Sequence, residues 1–151
     1  MSARALAVEL DAIGDTRALW DAWLEAARGF LGIDPASLPA DRAQAATALD
    51  AAGAGNWRVL LERFVEDHAP AYLRRDAATS SALRALSESD GRIGVFTDAP
   101  DELARTVLAH LGATRRVDAV ETGVGALERL LGSLGPDAEV IRSRSVLLER
   151  A

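Results

Sequence analysis

The chain has no cysteine and no lysine. Without cysteine there is no disulfide, no thiol nucleophile and no thiolate metal ligand. Without lysine, all 17 basic residues are arginine. Any step that calls for a compact ammonium must then use a planar guanidinium, which is not an equivalent group. Histidine is scarce as well. His68 and His110 are the two present, and neither has a second histidine four residues away, as a helical metal pair requires. No apolar run approaches the roughly 20 residues of a membrane span. The opening residues lack the long apolar core of a signal peptide, because Glu9 and Asp11 interrupt it. The expected compartment is therefore the cytoplasm. A surplus of positive charge is also missing. The net charge is -6 and the pI about 4.9, which argues against a nucleic-acid or anionic-membrane partner.

What is present is an ordinary globular composition, with 49% hydrophobic and 26% charged residues over 151 positions. That suits one domain, or a core with a small insertion. The most informative stretch is Arg92 to Gly112, RIGVFTDAPDELARTVLAHLG. An apolar run stops at Thr97, a turn follows through Asp98 and Pro100, and an amphipathic helix runs on to Gly112. This is half of an open α/β sheet, whose ligands bind outside the carboxyl ends of the strands. Residues 5–11, ALAVELD, read as an opening buried strand.

Helices are expected over 17–32, with Asp15 or Thr16 as cap, over 40–52, from Asn56 as cap to a kink or end at Pro70 with a further turn through Leu73, and over 77–89. Asp90-Gly91 reads as a turn. Val117–Val120 and Glu139–Ile141 read as strands, with a helix over 125–134 between them and a terminal turn over 146–149. Helix–strand alternation implies a parallel sheet. The fold class expected is α/β, a short parallel Rossmann-like sheet flanked by helices, with an inserted small helical cap. Residues 1–16 and 76–151 would form the core, and 17–75 the cap.

Several groups could carry chemistry, and each has a plainer reading. Glu9 and Asp11, two apart, would share one side of a strand. They are either a cation or acid/base pair, or two solvated carboxylates. Thr97 and Asp98 could cradle an anion at a helix N-terminus, or Asp98 could cap that helix. Arg142 and Arg144, alternating on a strand, could form an anion-binding face or pair with Glu139 or Asp137. Trp20, Trp23 and Trp57 pack the cap, or form a partner surface if exposed together. Gly123 and Gly125 read as a turn, since they lack the full phosphate-loop fingerprint.

The layout resembles the haloacid dehalogenase-like (HAD) superfamily, most of whose members are phosphatases. GVFTDAPDELARTVLAHLG is similar to that family's second motif and its helix, and AVELDAIGDTRALWDAW to its first motif and the entry of its helical cap. RRVDAVETG and AEVIRS resemble the later strands. The resemblance implies that the position of Glu9 is that of a nucleophilic Asp, and that Asp11 is the general acid. It also implies that Thr97 holds phosphate oxygens, and that late acids, a lysine and Mg2+ complete the site.

This chain departs from that pattern at most points. Glu9 carries an extra methylene, which moves the carboxylate by more than about 1 Å, and in-line attack loses about a hundredfold to such a shift. No lysine exists, and Arg142-Ser143-Arg144 stands where the acidic pair belongs. The expectation is a degenerate, non-catalytic relative. Glu9, Asp11 and Thr97 would be vestigial catalytic positions, Thr97 and Asp98 ligand-binding candidates, and Glu9 and Asp11 the metal ligands if any. No cofactor is expected. The expected role is small-molecule binding or protein interaction. The alternatives are an active phosphoric monoester hydrolase using Mg2+, and a structural module that dimerises through its cap helices.

Overall fold

The computed structural model describes residues 4–89 and 91–151. Strand β1 (Ala5–Glu9) runs straight into a helical turn, α1 (Leu10–Ile13), and then α2 (Arg17–Ala26) and α3 (Arg28–Leu31). After a 3-10 turn at Pro35–Ser37 come α4 (Arg42–Ala51), α5 (Trp57–Tyr72) and α6 (Ala77–Glu88). Alternation then sets in: β2 (Arg92–Thr97), α7 (Asp101–His110), β3 (Ala119–Thr122), α8 (Ala126–Leu134), β4 (Glu139–Ile141) and α9 (Arg144–Arg150).

The local signals act mostly as their chemistry dictates. The Asp41 carboxylate accepts from the Gln44 amide and starts α4, while Asp76 accepts from Ala78 and starts α6. Gly32 ends α3 in the left-handed region, at φ 66°, where only glycine is unstrained. Pro70 falls in the last turn of α5, which continues to Tyr72. The expected turn at Asp90-Gly91 includes Asp90, which lies outside the described residues.

The four strands are all parallel, in the order β3-β2-β1-β4. β1 is central, and Leu6, Ala7 and Val8 are fully buried on both of its faces, as internal parallel strands require. Leu6 and Val8 point into the larger apolar cluster, together with Ile93, Val95 and Ile141. Ala7 and Phe96 point the other way, against Ala126, Leu130 and Leu134 of α8. The sheet therefore has helices on both faces and is Rossmann-like.

The helices of residues 17–75 join the larger cluster. Trp20, Trp23 and Trp57 are buried in it, with ring centroids 5.3 and 5.9 Å apart along the row. Their burial settles the two readings of these tryptophans in favour of packing. Among the described residues, no helix is long and apolar enough to cross a membrane.

Candidate functional site

From β1 the chain steps outward to β2 and β3, and β4 then returns to the other side of β1. The direction of winding reverses between β1 and β4, and open α/β sheets bind ligands outside the carboxyl ends of their strands at such a point. Glu9 ends β1, and Arg142 directly follows β4. The two side chains pair across the reversal, Arg142 Nη1 to Glu9 Oε2 at 3.3 Å, and the Arg142 guanidinium lies over the Phe96 ring at 5.4 Å. A cavity of about 270 Å³ opens at this rim. Glu9, Asp11, Arg42, Thr97, Asp98 and Arg142 are among the residues around it.

The centre of the rim is Arg42, the first residue of α4. Its side chain is only 2% exposed. Asp98 grips it twice: Oδ2 accepts from the Arg42 backbone amide at 2.8 Å, and Oδ1 from Nε at 2.9 Å. Arg42 Nη1 donates to Thr16 Oγ at 2.6 Å. Its Nη2 donates to Asp11 Oδ2 at 3.2 Å and to Thr97 Oγ at 3.4 Å. Asp11 is tied in further, since its Oδ1 accepts from both the amide and the hydroxyl of Thr16. One guanidinium thus joins α1, the start of α2, the tip of β2 and the loop beyond it. Arginine suits this position because its planar fork presents several donors in fixed directions. Arg17 adds a longer contact to Asp98, at 3.9 Å.

The expected site residues Glu9, Asp11, Thr97 and Asp98 all surround this cavity, but their setting differs from the sequence reading in three ways. Asp11 is not on the strand with Glu9. β1 ends at Glu9 and the chain coils at once, so Asp11 sits in the first turn of α1. The two carboxylates lose the common strand face and take separate partners, Arg142 and Arg42. Asp98 does not cap α7. That helix starts at Asp101 after Pro100, its first turn carries Asp101 and Glu102, and no side chain caps it; both Asp98 oxygens accept from Arg42. It serves the start of α4 instead. Arg142 and Arg144 do not alternate on a strand, because β4 stops at Ile141 and Ser143 caps α9. Their partners are Glu9 and Asp76, while Glu139 takes Arg150.

The remaining candidates take plain structural roles. His68 stacks on Phe64 at 4.1 Å, and His110 Nε2 lies 2.9 Å from the Leu73 carbonyl oxygen. Gly123 and Gly125 turn the chain at φ 78° and 69°, and the Gly123 amide donates to the Thr97 carbonyl at 3.0 Å. Among the described residues, no three histidine or acidic side chains gather as a metal-holding group. Sequence reasoning missed Arg42, since an arginine at the head of an alanine-rich helix looks like a solvated charge. The one available hint was the apolar company that follows it at Ala43, Ala45, Ala46 and Leu49, all buried. No family model matches the chain, and no curated protein is significantly similar to it.

Proposed function

We propose that this chain is a non-catalytic relative of the HAD-type phosphatases, a binding protein whose phosphoryl-transfer site is closed by its own arginine. One observation carries this reading: the buried Arg42 guanidinium is bonded to Asp11, Thr16, Thr97 and Asp98 at once. A phosphate arriving at Thr97 would find that hydroxyl already approached by Arg42 and also accepting from the Ala99 amide.

The donor set does not suit Mg2+ either. A hard cation needs free carboxylate oxygens, and here Glu9, Asp11 and Asp98 each accept from a guanidinium. An entering ion would face Arg42 and Arg142 at close range. Without a metal, a phosphate dianion would meet three carboxylates, and the guanidinium groups of Arg42 and Arg142 beside them are already paired with those carboxylates. On this reading, residues 17–75 correspond to the family's helical cap, and Arg42 is the latch that fastens them to the sheet.

The test is release of phosphate from a generic aryl phosphate with millimolar Mg2+, using wild type, Glu9→Ala and Glu9→Asp. All three should match the buffer blank. Turnover by wild type that Glu9→Ala abolishes would establish the active-hydrolase reading instead.

A further inference from the structure

A second cavity, of about 200 Å³, lies between α6 and the link from α7 to β3. It shares no lining residue with the rim cavity. Three guanidinium groups line it: Arg75 just before α6, Arg84 on α6, and Arg116 at the end of the 3-10 turn Thr114–Arg116. Arg75 is fixed in place. Its Nε donates to the His110 carbonyl at 3.1 Å, and its guanidinium lies so close to Gly112 that a Cβ there would sit 3.4 Å from its central carbon. Arg84 and Arg116 make no side-chain hydrogen bond or ion pair among the described residues. Ile13, Leu83 and Leu111 give the cavity an apolar side, and Ser80 brings a hydroxyl.

One carboxylate, Asp76, also lines the cavity, and it is already engaged. It accepts from the Thr79 hydroxyl at 2.8 Å, from Arg144 Nε at 2.6 Å and from the Ala78 amide at 3.0 Å. The Thr79 hydroxyl first, and Arg144 after it, hold the Asp76 carboxyl below its ordinary value of 3.8. Asp76 is therefore anionic at neutral pH and neutralised by its own partners. The cavity keeps a surplus of positive charge in a protein whose net charge is -6.

We propose that this cavity is a binding site for a small phosphate monoester, its dianionic group held by Arg75, Arg84 and Arg116 and its short carbon frame set against Leu83 and Leu111. Guanidinium forks match phosphate oxygens in pairs. The volume is below the roughly 300 Å³ at which drug-sized pockets begin, so it suits a phosphate on a few carbons. Arginine stays charged throughout the accessible range, so the pH dependence belongs to the ligand. Affinity rises as the ester loses its second proton near pH 6.

This inference is independent of the rim reading, and one titration separates the two. Glycerol phosphate is titrated calorimetrically at constant ionic strength into wild type, Arg84→Gln/Arg116→Gln, Ser80→Asp and Arg142→Gln, with folding checked by circular dichroism. Saturable binding to wild type is expected. It should weaken at least about tenfold in the double variant and in Ser80→Asp, which places a carboxylate at the cavity without touching an arginine. Arg142→Gln, at the rim, should bind as wild type does. Absence of saturation by tens of millimolar, equal binding by the double variant, or loss confined to Arg142→Gln would each overturn the proposal. Hydrolysis of the ester during the titration would sink the non-catalytic reading of the rim and leave this one standing.

Discussion

Arg42 is one of the few charged or polar side chains buried in the described chain, the others being Thr16, Thr79 and Thr97. Two of those threonines are its own partners. A buried charge is tolerated only when it is paired and its donors are met, and the guanidinium satisfies that condition through two aspartates and two hydroxyls. Removing it leaves Asp11 without its cation and Asp98 with only the longer contact to Arg17 at 3.9 Å. Loss of one member of a fully buried pair costs about 3–5 kcal/mol. The two aspartate side chains are 27% and 29% exposed, so water offsets part of that, and Arg42→Ala should lose about 2–3 kcal/mol. For a chain of this length that is a fall in Tm of roughly 5–10 °C. Tens of millimolar guanidinium should recover part of the loss in Arg42→Ala while leaving wild type unchanged, because the free ion fits the vacated fork. A variant as stable as wild type would show that the latch holds nothing.

At the scale of elements, the seating of α8 on the sheet depends on Gly94. A Cβ at that position would lie 2.4 Å from Leu130 Cδ1 and 3.0 Å from its Cγ. Leu130 is fully buried, so it has no free direction in which to swing. β2 thus carries glycine where the helix rests most closely on the strand, and Phe96 and Ala7 fill the space beside it. Gly94→Ala should destabilise the protein by about 1–3 kcal/mol through overpacking. Leu130→Ala alone should cost about 2–5 kcal/mol through the space it empties. Together they should cost clearly less than the sum, since each relieves the other. Urea denaturation of the two single variants and the double variant measures this, and strict additivity would mean that the close approach carries no strain.

For the whole molecule, the question is whether residues 17–75 behave as a part of their own. The larger apolar cluster contains Trp20, Trp23, Leu49, Trp57 and Leu61 together with Leu6, Val8, Ile93 and Leu103, so it passes without a break from the helices of residues 17–75 to the sheet. Arg42 adds a polar tie at the rim. Elements that share one core unfold together. All three tryptophans lie within the helices of residues 17–75, so tryptophan fluorescence reports on that region, while far-ultraviolet circular dichroism reports on the whole chain. The two signals should trace a single coincident urea transition. A fluorescence change that precedes the loss of ellipticity would show that the helices of residues 17–75 open first.

The sequence by itself determined the parallel α/β alternation, the strand ending at Thr97, and a chain with arginine as its sole basic side chain. These are local matters of apolar period and composition, readable over a few residues. It also pointed to the sheet edge where Glu9, Asp11, Thr97 and Asp98 gather. The tertiary structure alone decided what those residues do there. The groups that bind the Arg42 side chain stand 26, 31, 55 and 56 positions from it, and no spacing rule reaches so far. The same holds for Asp98, which in sequence precedes one helix and in space serves another. Charge pairing in a folded chain follows distance through space, and that distance is fixed only when the helices have settled on the sheet.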